Sequence, residues 1–210
     1  MEKNLVIGAS GGIGGSICHT LTGEVIKLSR SVDGFDVTDP DSVDALLDNL
    51  NDRFNRIWVT IGILGTPEKS LSAITAHEMT RVLAVNTIGV ALILRHIPRL
   101  LSSNGRLGVL SARVGSIGDN RLGGWHSYRA SKAAVNQLIH GAAIELSRTH
   151  KESVVAALHP GTVETSFTAG YTAKKLTPDE SASKLISVLD NLTPAQTGGF
   201  YDFEGVKVPW

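Results

Sequence analysis

Tyr128 and Lys132 lie four residues apart in Tyr128-Arg129-Ala130-Ser131-Lys132, a run whose composition favours a helix. One helical turn sets them about 6 Å apart along the axis and on one face. A free phenol titrates near ~10 and is a poor acid or base at neutrality. An ammonium beside it favours the phenolate, lowers that pKa and makes the tyrosine usable for proton transfer. Taken alone, the pair also fits an exposed Tyr next to a surface Lys. A second cluster argues against that: the apolar run from Asn4 to Ile7 leads straight into Gly8-Ala9-Ser10-Gly11-Gly12-Ile13-Gly14-Gly15. Glycine at 8, 12 and 14 permits a tight strand-to-helix turn and close approach of a dinucleotide pyrophosphate. A helix starting near Ile13 would direct its free N–H groups and positive dipole end at the phosphates. Gly8, Ser10, Gly11, Gly12, Ile13 and Gly14 are therefore candidate cofactor contacts.

The end of the second expected strand, near Leu28, bears on which dinucleotide binds. An acid there would accept hydrogen bonds from a ribose 2′-hydroxyl and repel a 2′-phosphate. The chain has Ser29-Arg30-Ser31 instead, and a guanidinium flanked by hydroxyls suits a phosphate dianion. Arg30 favours NADP over NAD on this reading; the alternative is that it points into water. No metal site is expected, because the seven histidines lack HxxxH spacing and have no cysteine partners. The single cysteine, Cys18, cannot form an intrachain disulfide and reads as a small hydrophobe on the first helix.

The two clusters together resemble the short-chain dehydrogenase/reductase family, in which a GxxxGxG loop opens the chain and a YxxxK follows the fifth strand. Three further stretches match in the family's order: Asp36-Val37-Thr38-Asp39, Asn86 within Val85-Asn86-Thr87, and Pro160-Gly161-Thr162-Val163-Glu164-Thr165. The resemblance covers essentially all 210 residues, and the run from Ser111 to Lys132 is most similar to a subgroup related to C-factor and small carbonyl reductases. It implies hydride transfer between NADP and a small carbonyl or alcohol substrate. Tyr128 would be the general acid or base, and Lys132 would lower its pKa and hydrogen-bond the nicotinamide ribose. Asn86 would hold a water linking the lysine to solvent, or else bond neighbouring backbone as a structural amide. Asp36 and Val37 would lie near the adenine, with a turn-forming Asp36 as the alternative. Pro160, Gly161, Val163 and Thr165 would sit beside the nicotinamide or the phosphates. Subunits would pair through the two longest helices into a homodimer or homotetramer.

The chain departs from the family's pattern twice. The position of the carbonyl-polarising serine falls on Ala112, preceded by Ser111. Adjacent side chains on a strand face opposite ways, so Ser111 substitutes only if the strand has ended or bulges there. Otherwise Ser111 is a core hydroxyl; Ser116 is a more remote replacement. Val59-Thr60-Ile61-Gly62 stands where the family commonly has NNAG, with Gly62 keeping the close backbone approach and Thr60 offering a hydroxyl. These departures leave an alternative on the same fold, a non-catalytic NAD(P)-binding sensor or a C-factor-like signalling protein. Trp125 and His126 are candidate pocket walls, and Ser166 to Leu176 a candidate lid hinged at Gly170.

Positioning these residues requires an alternation of strands and helices. Strand-like runs fall near 4–7, 24–28, 35–37, 56–60, 105–111, 154–158 and 199–203, and helix-like runs near 13–22, 40–50, 76–101, 128–149 and 178–192. The pattern is a single α/β domain over residues 1–210, with a doubly wound, mostly parallel, Rossmann-type sheet of seven strands. About six residues separate Leu28 from Phe35, too few for a normal helical crossover, so the third strand is expected as a stub. With 42% hydrophobic residues the chain can bury a sizeable core. Twenty basic and twenty acidic residues cancel, which gives no field for nucleic acid or anionic membrane. The most apolar stretch, Val82 to Leu94, is interrupted by Asn86 and reads as too short to span a bilayer, and no signal peptide is apparent. A cytoplasmic enzyme is the expectation.

Overall fold

The strands are nearly continuous apolar runs because helices cover both faces of the sheet, leaving no solvated face to call for alternation. A computed structural model describes every residue except Tyr171 and Ala173. Strand β1 (Lys3–Ile7) runs into α1 (Gly12–Thr20), followed by β2 (Glu24–Leu28), the short α2 (Arg30–Asp33), α3 (Pro40–Asp48) and β3 (Phe54–Val59). A helical stretch then comprises α4 (Ala76–Leu83), a wide π turn (Ala84–Ile88), α5 (Gly89–Leu94) and α6 (Ile97–Leu100). The chain closes with β4 (Leu101–Leu110), α7 (His126–Leu146), β5 (Val154–His159), α8 (Pro178–Asn191) and β6 (Gly199–Asp202).

All six strands are parallel, in the order β2-β1-β3-β4-β5-β6. Winding reverses between β1 and β3, and open α/β sheets bind ligands at such a switch, beyond the carboxyl ends of the strands. Leu5, Ile7, Val59, Leu107 and Val109 pack with Val90, Val135 and Ile139 on one face. Val6, Trp58, Ala156 and Leu158 pack with Ile17, Leu185 and Leu189 on the other.

Among the described residues the sheet has six strands rather than seven. Residues 35–37 join no ladder among the described residues; Phe35 and Val37 are buried in the core instead, and Asp36 closes a turn onto Thr38. The link after β2 holds only the single turn of α2, too little chain to cross over and return to a sheet edge. The long helix expected over 76–101 is divided by the π turn at Asn86 and ends before β4 starts at Leu101. By length and composition Ala76–Leu94 is long and apolar enough to cross a bilayer. In the fold, its Val82, Asn86, Val90 and Ile93 are buried against the rest of the domain. Asp39 and Thr177 cap α3 and α8, accepting from Asp41 N at 3.1 Å and Glu180 N at 3.2 Å, each ahead of a first-turn proline.

Candidate active site

Gly8 turns the chain out of β1 with φ of 95°, and Gly11 precedes α1 without a side chain over the helix start. Thr60, just past β3, braces this loop through its hydroxyl, 3.0 Å from the Ile7 carbonyl oxygen and 3.2 Å from that of Gly8. A Cβ on Gly8 would lie 2.5 Å from Thr60 Oγ1, and one on Gly14 would collide with Gly8 O. Gly11, Gly12, Ile13 and Gly14 form one wall of a cleft of about 530 Å³, continued by Thr60 and Gly62. Gly8 and Ser10 are not part of that wall.

Tyr128 and Lys132 lie one turn apart on α7 and both line this cleft. The Tyr128 ring meets Trp125 edge-on and Phe167 at a tilt, each at 6.4 Å between centroids. Lys132 is 3% exposed and its Nζ donates to Leu110 O at 3.0 Å. Burial pushes its ammonium down to about 8.

Asn86 is fully buried behind the cleft wall, at the centre of the π turn. Its Oδ1 accepts from Ile63 N at 2.7 Å, while Nδ2 donates to Ile63 O at 2.9 Å and to Ser131 Oγ at 3.0 Å. A π turn inside an α-helix re-aims one side chain and recurs at functional sites. A Cβ on Gly62 would stand 3.4 Å from both Asn86 Oδ1 and Lys132 Nζ, so the glycine, the amide and the ammonium form one cluster.

The start of α7 is held by a residue that the sequence did not single out. Glu68 is buried and accepts from Ser127 N at 3.3 and 3.2 Å and from the Ser127 hydroxyl. Burial, the largest single influence, would raise this carboxyl, but the Ser127 hydrogen bonds, a bond to the Glu68 backbone and nearby His126 together outweigh it and hold Glu68 below its ordinary range. Trp125 N donates to Glu68 O at 2.7 Å, and Trp125 takes φ of 53°, the one non-glycine residue with positive φ among those described. Arg129 ties the same turn to Gly124 O and Val114 O. The turn before Tyr128 is thus fastened to distant chain, which fixes where the phenol stands.

Ser111 is the first residue past β4, and its N–H still donates to Leu158 O at 2.8 Å. Its hydroxyl donates to Asn136 Oδ1 of α7 at 2.6 Å, and both Ser111 and Ala112 line the cleft. Ser116 bonds Pro209 O, remote from Tyr128 in its contacts. Pro160, Gly161, Val163 and Thr165 line the side of the cleft facing the glycine loop, where a Cβ on Gly12 would come within 2.9 Å of Thr165 Cγ2. The Ser166 to Leu176 segment is pinned by Leu176 N to Thr162 O at 2.9 Å and Lys175 Nζ to Thr168 O at 2.6 Å; Tyr171 and Ala173 within it lie outside the described residues.

Arg30, Asp36 and Val37 stand apart from the cleft wall. Among the described residues none pairs with the exposed Arg30 guanidinium, whereas Asp33 accepts from Ser29 N at 2.7 Å and Ser29 Oγ at 3.2 Å. An acid four residues along the chain is therefore folded back onto this strand end, which the linear order did not disclose. Asp36 accepts from Thr38 N at 2.9 Å and Thr38 Oγ1 at 2.7 Å, bonds that hold its carboxyl below the usual range. Val37 packs against Gly89, where a Cβ would lie 2.8 Å from it.

Residues 19–201 match the family model described as enoyl-(acyl carrier protein) reductase. The chain is 32% identical to 1-hydroxy-2-glutathionyl-2-methyl-3-butene dehydrogenase of Rhodococcus sp., over the full length of both proteins. The chain belongs to the short-chain dehydrogenase/reductase family. This short-chain dehydrogenase/reductase is also 29% identical to C-signal of Myxococcus xanthus, over 80% of the present chain and 93% of that protein. The structure of an NADPH-bound carbonyl reductase from chicken fatty liver superposes with a TM-score of 0.87 at 26% identity, covering 100% of this chain and 99% of that one. As a member of this family the protein is an oxidoreductase, and its doubly wound sheet is the family's fold. Sequence reasoning about the short-chain dehydrogenase/reductase missed Glu68 and His159, while Phe167 falls within the expected lid segment from Ser166 to Leu176. Glu68 is 59 residues from its partner Ser127, a separation that carries no local signal.

Proposed function

We propose that this short-chain dehydrogenase/reductase is a cytoplasmic, NADP-dependent enzyme that interconverts a small carbonyl compound and its alcohol. The observation that carries the reading is Tyr128 and Lys132 one turn apart on the wall of a cleft whose other wall is the glycine loop. The relatives are in keeping with it: the Rhodococcus protein is named as the dehydrogenase of a hydroxylated compound, and the chicken structure as a carbonyl reductase with NADPH. The loop suits a dinucleotide because Gly11, Gly12 and Gly14 leave bare backbone on the cleft wall, and the close packing of Gly8 and Gly14 on Thr60 and on each other fixes its shape. Gly11 to Gly14 would take the pyrophosphate, Arg30 the 2′-phosphate, and Pro160, Gly161, Val163 and Thr165 the nicotinamide end. NADPH, when bound, supplies a hydride to the carbonyl carbon.

Tyr128 delivers the proton to the carbonyl oxygen in reduction and removes it in oxidation. Lys132 hydrogen-bonds the ribose and favours the phenolate, and Asn86 links the lysine to backbone and solvent. The lysine is well placed to gain and lose charge, since burial has already brought it to about 8. Single-turnover oxidation of NADPH with a panel of aldehydes and ketones tests the reading. Tyr128→Phe should lower the hydride-transfer rate by about 10²- to 10⁴-fold, the usual range for general acid catalysis. NADPH affinity should stay within a few-fold. Turnover by Tyr128→Phe above a tenth of wild type would rule the assignment out.

A non-catalytic NADP sensor, or a signalling protein of the C-signal kind, is the rival reading. It is favoured by one observation, that the Ser111 hydroxyl is bonded to Asn136 while an alanine follows it at the cleft. NADPH binding without oxidation by any compound of the panel would select it.

A further inference from the structure

Three polar residues stand side by side at the carboxyl ends of β4, β5 and β6. Ser111 follows β4 and is laddered to β5 through Leu158 O, and His159 pairs in register with Asp202 across β5 and β6. The neighbouring residues Leu158 and Tyr201 belong to the core facing α1 and α8, so by strand alternation His159 and Asp202 project toward α7. The two outer members are already engaged. Ser111 donates to Asn136, while Asp202 Oδ1 accepts from Glu204 N and Val206 N at 3.0 Å each and Asp202 Oδ2 lies 3.7 Å from Arg113 Nη1. His159 between them is different. It lines the same cleft as Tyr128, and its buried Nδ1 has no hydrogen-bond partner in the protein.

Burial is the main influence on this imidazole; it outweighs the nearby Asp202 carboxylate, Arg113 opposes protonation as well, and the ring is brought down to about 4. His159 is consequently neutral at physiological pH, with one N–H to donate and one nitrogen to accept. Nδ1 is closed off as well as unpartnered, so a group entering the cleft meets the ring at Nε2, for which the fold supplies no hydrogen bond either.

We propose that His159 is a further catalytic residue, a neutral imidazole that donates a hydrogen bond to the substrate's carbonyl oxygen on the strand-end side, where Ala112 has no hydroxyl to offer. The inference rests on the carbonyl reductase reading above. In reduction, a hydride from the nicotinamide forms the new C–H bond as the C=O π bond breaks, and the proton from Tyr128 forms the O–H bond. His159 keeps its own N–H throughout and stabilises the negative charge developing on oxygen. A neutral histidine serves better here than an imidazolium, which would lose its proton to the oxygen it is meant to polarise.

The test compares His159→Phe, of similar size without an N–H, with His159→Gln, which keeps a donor. His159→Phe should lower kcat for carbonyl reduction roughly 10²- to 10³-fold, with the NADPH dissociation constant within twofold of wild type, and His159→Gln should recover at least fivefold of that loss. A second readout does not depend on turnover: the ¹⁵N signals of the His159 ring, assigned by their absence in His159→Gln, should move when NADP⁺ and the alcohol product are added together. Parity of His159→Phe with wild type within twofold overturns the inference, and so does an unmoved ring signal. If His159→Phe does not fold, the ring signal and the Gln variant decide, with Gln expected to be slower than wild type. A wild type that binds NADPH but reduces no carbonyl compound overturns the reductase reading and the inference together. A working enzyme indifferent to His159→Phe overturns the inference alone.

Discussion

Burial of the Lys132 ammonium couples the site to stability. In the unfolded chain a lysine titrates near ~10.4, whereas in the fold burial brings it to about 8. Between those values the folded state binds fewer protons than the unfolded one, so stability rises with pH on this account. Below about 8 the full cost is present, on the order of 3 kcal/mol. Urea unfolding of the cofactor-free protein from pH 7 to 10 should show this rise, and Lys132→Met should flatten it. The same slope in both proteins would mean that another group titrates. Arg30 makes a second residue-scale prediction, because nothing described in the fold occupies its guanidinium. Arg30→Ala should weaken NADPH by about 1.5 to 3 kcal/mol, the range for hydrogen bonds to charged groups, and barely change NADH. Equal losses for both cofactors would assign Arg30 to the adenine or the fold, and Asp33 beside Ser29 would then be the group to examine.

At the scale of elements, α7, which carries Tyr128 and Lys132, depends on an anchor at its N-terminus. Glu68 holds the first turn of α7 through Ser127, and a carboxylate there also meets the positive end of the helix dipole. Glu68→Gln should destabilise the protein by about 1 to 3 kcal/mol, the cost of losing charge-assisted hydrogen bonds. Because the folded carboxyl lies below its unfolded value, its contribution is present above about 4.5 and disappears as pH falls through the folded value. Acid melts of both proteins should therefore converge at low pH; a constant gap would show that packing rather than charge is lost. The glycine loop is the second element under constraint. Gly8→Ala would force an L residue to φ of 95° and press its Cβ on Thr60 Oγ1. A loss of about 1 to 3 kcal/mol is expected from the strained backbone, read by chemical denaturation. Thr60→Ala should not rescue it, since the backbone strain remains.

For the molecule as a whole, Ile88 and Ile144 are 55% and 51% exposed on the π turn and on α7. These are the helices through which subunits are expected to pair, and a two-fold interface would cover both residues. Light scattering should give about twice the 22.3 kDa chain mass at micromolar concentration, and Ile144→Glu should shift the protein toward monomer. A monomer for the wild-type chain would remove the dimer from the account.

Much of this molecule was legible in one dimension where its signals are local. The Gly8 to Gly14 turn and the one-turn spacing of Tyr128 and Lys132 each lie within a few residues, and backbone sterics or helix periodicity read them directly. A doubly wound, mostly parallel sheet followed from the alternation of elements. The exception was the stretch around Phe35 to Val37, where a strand-like composition served core burial because the chain was too short to reach a sheet edge. Side-chain partners at long separation belonged to the tertiary structure alone. Glu68 under Ser127, Ser111 turned to Asn136, Asp33 folded onto Ser29, and His159 left unpartnered beside Asp202 all depend on where strand ends and helix starts meet in space. The sequence by itself determined the class of fold and the one-turn spacing of Tyr128 and Lys132 on one helix, because both are written in short periods. Packing decided which hydroxyl, carboxylate or imidazole is free to act, because a polar group's availability is set by the neighbours that burial brings to it.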